Sequence, residues 1–254
     1  MDNINNVRWY PDSLTAWEAI NEAFIKADDE SLGFVYKGKA LYTYDLVIGI
    51  SNPKLPNDFD FGRHFNYTIS KWKSLVGNYL DREELESIAK EIREEENNNS
   101  RSYNLALQFD NKHGHGKNCL LSMVFSRRYG VKNPNICVFL RASEITKRLV
   151  CDLLLFQRIG EYVYGNTHFT LTIHINQTFN DDTVLLMYHA HKDISRILST
   201  STNKSRRAIL IDRLEYLLSC EVGEVKYKVH KRALKVLRPE LFTYPKTLVR
   251  DCRL

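Results

Sequence analysis

In the second half of the chain, side chains able to do chemistry stand at the ends of apolar runs. Cys119 opens the run Leu120-Leu121-Ser122-Met123-Val124-Phe125, and Arg141 closes the run Ile136-Cys137-Val138-Phe139-Leu140. Ala142, Ser143 and Glu144 follow at once, and Asp152 stands among Leu149, Val150, Leu153, Leu154 and Leu155. His174 and Asn176 belong to a later apolar run, Thr172 to Asn176, and Arg101 precedes the whole group. A cysteine is a nucleophile as its thiolate, which nearby cations favour. A guanidinium fork matches the geometry of a phosphate. An ionised carboxylate can only accept hydrogen bonds, which suits an amino group on a ligand. Covalent chemistry on a small phosphate-bearing ligand is the activity these types would support. Each also has a plainer reading: Cys119 as a small buried hydrophobe, Arg141 in an ion pair, Asp152 held by a helix dipole, His174 as a core histidine.

The elements that must position them follow from the apolar patterning. Tyr103 to Phe109, Cys119 to Ser126 and Asn135 to Leu140 read as strands, the last two joined by a turn around Arg128-Tyr129-Gly130. A helix from about Thr146 to Tyr164 is apolar on most faces, hence central, and Gly165 is its natural stop. Phe169 to Asn176 reads as a strand, with helices near 183–198 and 206–219, a strand-like stretch after Val222 and a helix around 230–237. In the first half, Ser13 is positioned to cap a helix carrying Trp17, Ile20, Phe24 and Ala27. A strand, a turn at Lys37-Gly38-Lys39 and a second strand occupy 33–50, and Asn52 to Asp58 is a loop. Helical stretches follow around Trp72, Leu75, Val76 and Leu80, then along the charged run from Asp81 to Glu96. These elements make a mixed α/β domain.

From Ser100 to Asn176 the order and spacing of these pieces resemble the active-site half of the thymidylate synthase and pyrimidine hydroxymethylase superfamily. The carriers are Ser100-Arg101, Cys119 opening its strand, the return strand running into Arg141-Ala142-Ser143-Glu144, Asp152 one turn into the buried helix, and the His174–Asn176 pair. The resemblance implies an α+β fold with a mixed sheet flanked by helices, in one domain over 1–254. It implies a pyrimidine nucleoside monophosphate as substrate, 5,10-methylenetetrahydrofolate as one-carbon donor, and Cys119 adding to carbon 6 of the base to activate carbon 5. Arg101, Arg141, Ser143, Glu144, Asp152, His174 and Asn176 would then bind the substrate. Arg101 would come from the partner of a homodimer with shared sites. An aspartate at 152, where synthases have asparagine, implies CMP or dCMP and a hydroxymethyl transfer. Methyl transfer to dUMP or UMP, and a nucleotide-binding homologue without turnover, are the alternatives. The chain departs from the family at Ala142 and Asn176, and in Thr68-Ile69-Ser70-Lys71-Trp72, where the family's general-acid glutamate is missing; Glu84 and Glu86 are the nearest substitutes.

Composition bounds the remaining classes. The chain has 254 residues, 43% of them hydrophobic, enough for a full core in one domain. No window approaches eighteen uninterrupted apolar residues, and Met1 to Asn6 do not read as a secretory leader, so a cytoplasmic protein is expected. Five cysteines without CxxC spacing fit free thiols. A net charge of +5 suits an anionic ligand, but the chain has no dense basic and aromatic stripe for nucleic acid. His113-Gly114-His115-Gly116 and His189-Ala190-His191 lack the further ligands of a metal site. Lys204-Ser205-Arg206-Arg207 reads as a solvated helix start, and the Glu-rich run at 83–96 as a solvated helix.

Overall fold

In the computed structural model the described residues are 7–97, 103–108, 119–127, 130–165, 167–221, 228–243 and 245–254. Seven strands form one sheet: β1 (Arg8–Asp12), β2 (Val35–Lys37), β3 (Ala40–Asn52), β4 (Tyr103–Gln108), β5 (Leu120–Arg127), β6 (Asn135–Glu144) and β7 (Thr170–Asp181). Their order is β1-β3-β7-β6-β5-β4, with β2 paired to β3. The β1/β3 and β6/β7 pairs are parallel and the others antiparallel, so the sheet is mixed. Nine helices accompany it among the described residues: α1 (Ser13–Lys26), α2 (Phe61–Phe65), α3 (Ile69–Tyr79), α4 (Arg82–Asn97), α5 (Arg148–Tyr164), α6 (Asp182–Leu185), α7 (Ile194–Ser199), α8 (Lys204–Ser219) and α9 (Lys228–Leu237).

Parallel neighbours need a crossover, and α5 supplies the one between β6 and β7. Its apolar residues are inside on nearly every side, and it shares one core with Ile136, Val138, Leu140, Leu171, Ile173 and Ile175 of the strands it joins. Gly165 ends the helix at φ 62, and Gly160 lets the helix approach Phe169 closely, since a Cβ there would lie 2.2 Å from the ring. The opposite face of the central strands is less covered: Cys137, Thr172 and His174 are half-buried, and Phe139 is 37% exposed.

Three adjacent strands exchange faces at one row. On β3 the buried positions are Leu46, Ile48 and Ile50 on one side of Asp45, but Leu41 and Thr43 on the other. On β7, Leu171, Ile173 and Ile175 give way to Thr178 and Asn180; on β6, Ile136, Val138 and Leu140 give way to Ser143. The pairing stays in register throughout, Tyr44 to Gln177 and Ala142 to Gln177 on one side, Leu46 to Ile175 and Leu140 to Ile175 on the other. Asp45 makes the turnover with a left-handed backbone, φ 53, and Asn176 donates to its carboxylate at 3.3 Å. Asp, with its short polar side chain, is among the residues that tolerate this conformation.

Several expectations need correction. Asp12, not Ser13, caps α1, accepting from the Thr15 N–H at 2.8 Å, and the helix stops before Ala27, which is left-handed. The expected helix at 183–198 is α6, a 3-10 turn (Leu186–Ala190) and α7 in succession. Strands β6 and β7 run on past Leu140 and Asn176, because each continues to pair with its neighbour. Arg206 is not a solvated helix start: it is 2% exposed and paired with buried Asp182, beside the Tyr36 hydroxyl. The loop around His113, the Arg128-Tyr129 turn and the stretch 222–227 lie outside the described residues.

Candidate functional site

The site gathers at the N-terminal end of α5, where β6 ends and β5 begins. Arg141 donates its backbone N–H to the Cys119 carbonyl at 2.8 Å, so the edge of the β5/β6 pairing fixes both residues side by side. Cys119 is half-buried, and its own N–H donates to the hydroxyl of Tyr79 on α3 at 3.4 Å. Tyr79 in turn lies within electrostatic range of Asp152 and Cys119, and burial, then Asp152, raises its pKa. Tyr79 on α3 therefore meets the start of β5 through the Cys119 backbone and lies within electrostatic range of the Asp152 carboxyl on α5.

Asp152 is 8% exposed and accepts a hydrogen bond from Ser143 at 3.4 Å. Burial pushes its pKa up to about 7; Arg148, one turn earlier on the same helix, and the Ser143 hydroxyl oppose that rise without cancelling it. A carboxyl with that pKa exchanges its proton near neutrality, the property needed in a general acid or base. Glu144 has a different job. Its two carboxylate oxygens accept from the N–H groups of Thr146, Lys147 and Arg148 at 2.8, 2.9 and 3.2 Å, capping the start of α5. Burial raises the Glu144 pKa, and these three bonds pull against it.

Cys119, Arg141 (through its backbone), Ser143, Glu144 and Asp152 are thus brought together. His174 and Asn176 are not. His174 points to the less covered sheet face, stacked on Phe139 at 5.0 Å, and Asn176 is exposed and bonded to Asp45. Arg101 lies outside the described residues. The Arg141 side chain is exposed and, among the described residues, has no hydrogen bond or ion pair.

Sequence reasoning missed four contributors: Tyr67, Tyr79, Lys147 and Arg148. Arg148 was findable, since a residue four positions before Asp152 shares its helix face. Tyr67 and Tyr79 carry no local signal, because only the placement of α3 and the turn before it brings them in. Tyr67 is 4% exposed, its pKa is raised mainly by burial, and Lys147 sits over its ring at 5.9 Å. On the other side of α3 a separate cavity of about 740 Å³ is lined by Trp72, Val76, Leu80, Leu85, Tyr162 and Leu254. Glu86, one of the two carboxylates considered for the missing general acid, lines it, whereas Cys119, Arg141, Ser143, Glu144 and Asp152 do not.

Among the described residues, no group of three or more His, Cys, Asp or Glu could hold a metal ion, and no helix is long and apolar enough to cross a membrane. All five cysteines are free. No protein-family model matches the chain, and no curated protein matches its sequence.

Proposed function

We propose that the protein activates carbon 5 of a cytidine monophosphate, CMP or dCMP, for hydroxymethylation, by adding the Cys119 thiolate to carbon 6. The observation that carries this reading is the placement of Tyr79, which accepts from the Cys119 N–H at 3.4 Å and lies within electrostatic range of Asp152. A thiolate attacking carbon 6 forms the S–C6 bond, and the electron pair of the 5,6 double bond moves to carbon 5. Carbon 5 can then take a proton from solvent and lose its original one, after which elimination of the thiolate restores the ring. Asp152 in its acid form donates to ring N3 and accepts from the 4-amino group. Its ionised form accepts from the amino group and cannot donate to O4 of uracil, so the preference for cytosine should sharpen as pH rises past about 7.

Transfer of a carbon needs a donor, for which the resemblance implies 5,10-methylenetetrahydrofolate. Glu144 would not contact that donor, because its carboxylate is committed to the helix N–H groups. Proton exchange at carbon 5 proceeds without it. We also read the less covered sheet face as the seat of a second copy of the chain. It carries Leu121, Phe139 and His174 and few charges, which favours self-association over a charged partner. A monomer by light scattering at micromolar concentration would rule this out.

A release assay tests the chemistry without any donor. The protein should liberate tritium from 5-tritiated CMP or dCMP, and Cys119→Ser should abolish the release while leaving nucleotide binding intact. Asp152→Asn should move the binding preference toward uracil nucleotides. Binding without release by the native protein would instead favour a nucleotide-binding homologue without turnover, the reading supported by the missing carboxylate in Thr68 to Trp72. Failure to bind CMP, dCMP, UMP and dUMP would sink both.

A further inference from the structure

The cavity beside α3 is walled by α3, α4, the last turn of α5 and residues 251–254. Its volume of about 740 Å³ falls within the range of small-molecule sites, roughly 300–1,000 Å³. The wall made by residues 251–254 is fixed in place. The indole N–H of Trp72, 1% exposed, donates to the Arg253 carbonyl at 2.7 Å, and the Arg158 guanidinium donates to the carbonyls of Cys252 at 2.9 Å and Val249 at 2.8 Å. The lining is largely aliphatic: Ile69 and Val76 from α3, Leu80 just beyond it, Leu85 from α4, and Leu254. Gly77 lines it too. It stands inside α3, where glycine is less favourable than any residue but proline, yet no neighbour requires it: a Cβ built there meets nothing within 4 Å. What the missing side chain preserves is open space at the cavity wall. Lys73, Arg82 and Arg253, all exposed and on three different elements, bring positive charge to the same cavity, with Glu86 and Asp251 as its acids. Among the described residues no ion pair joins any of these five groups, so the cations are not neutralised by contact.

An aliphatic lining with exposed cations at its opening suits a ligand with an apolar body and an anionic head. We propose that this cavity binds a single-chain aliphatic carboxylate, its acyl chain along Ile69, Val76, Leu80, Leu85 and Leu254 and its head among Lys73, Arg82 and Arg253. Two of those cations are guanidinium groups, whose planar fork matches a carboxylate. Three cations against two acids favour an anionic head over a cationic one. A flexible chain fits the lining better than a flat ring, because Trp72 is buried in the core and Tyr162 is the other aromatic wall. Cys119 and Asp152 do not line the cavity, and the proposal does not depend on the chemistry assigned to them.

Calorimetric titration of the whole protein with dodecanoate, dodecanol and dodecyltrimethylammonium, each below its micelle concentration, tests it. Dodecanoate should bind about tenfold tighter than dodecanol, the worth of roughly one charge-assisted hydrogen bond, and dodecyltrimethylammonium should bind weakest. A dodecanoate brominated along its chain should quench the fluorescence of Trp72 by contact. Gly77→Leu should abolish that quench and weaken dodecanoate about tenfold or more, with a denaturation midpoint no lower than the native one, because its side chain takes up the open space. Arg82→Gln and Arg253→Gln, on different elements, should each weaken dodecanoate about fivefold and leave dodecanol unchanged. Cys119→Ser should leave dodecanoate binding intact even though it abolishes tritium release, so the two proposals fail separately. Equal affinity for the three head groups, no binding up to millimolar dodecanoate, or binding that none of these cavity variants alters would overturn the site. Sedimentation with phosphatidylglycerol vesicles that survives Gly77→Leu would overturn it in favour of a membrane-binding surface.

Discussion

Replacing Asp152 by asparagine should change how stability depends on pH, in a direction and amount fixed by its burial. In the unfolded chain the carboxyl ionises around its ordinary value of 3.8, whereas in the folded protein burial holds the proton to about pH 7. Between those values the folded state binds the extra proton, so rising pH lowers stability through this window and has no further effect above it. A pKa held about three units high, at about 1.4 kcal/mol per unit, amounts to ~4 kcal/mol lost between about pH 4 and pH 8. An asparagine in its place has the same shape and no proton to lose. Urea denaturation followed by the fluorescence of buried Trp17 and Trp72 should therefore show the Asp152→Asn variant gaining on the native protein by ~4 kcal/mol from about pH 4 to pH 8. His64, whose pKa burial lowers to about 4, destabilises both proteins as pH falls below its ordinary 6.5, and so cancels in the difference. Parallel pH profiles for the two proteins would show that Asp152 ionises normally in the fold and would remove the basis for its role as an acid.

Arg206→Met should destabilise by about 3–5 kcal/mol, because it strands the buried Asp182 carboxylate, and adding Asp182→Asn should recover much of the loss; denaturant midpoints of the variants decide this. Gly160→Ala should lower stability by about 1–3 kcal/mol, since the new Cβ meets the ring of Phe169, itself only 4% exposed. Gly77→Ala on α3 is the control: nothing lies within 4 Å of its Cβ position, and a helical alanine should add about 0.5–1 kcal/mol. With a thiol reagent, Cys119 and then Cys137 should label in the folded protein, burial raising the Cys137 pKa, while Cys151, Cys220 and Cys252 react only on unfolding. Labelling of Cys151 among the fastest would contradict its burial and raised pKa.

The central helix and the hairpins were legible because their patterns are local. The unbroken burial of α5 from Leu149 to Gln157 follows from a run of apolar side chains that no single face could hold, and Lys37-Gly38-Lys39 separates two β-rich runs, with Gly38 at φ 65 in the turn. Strand β1 was not legible: Arg8-Trp9-Tyr10-Pro11-Asp12 carries a proline and no apolar alternation, and it is a strand because β3 offers it an edge. The extension of β6 through Arg141-Ala142-Ser143-Glu144 has the same origin, since β7 pairs alongside polar residues as readily as apolar ones. In the site, the backbone contact between Cys119 and Arg141 was implicit in the hairpin. Arg206 was misjudged because a basic cluster at a helix start looks solvated until Asp182, 24 residues earlier, is known to face it.

The row through Asp45, Asn176 and Arg141 ties together the lengths of three strands. Because β3, β7 and β6 turn over together, the residue count from each strand's start to that row is shared information, not a property of any one strand. Inserting a residue on one side of Asn176 alone would move its turnover out of line. It would then swing Ile173 and Ile175 toward water, or His174 into the core. A length change there is tolerated only when β3 and β6 change in step. This row should therefore behave as a fixed origin, from which loops at either end of the sheet can lengthen freely while the strands between them cannot.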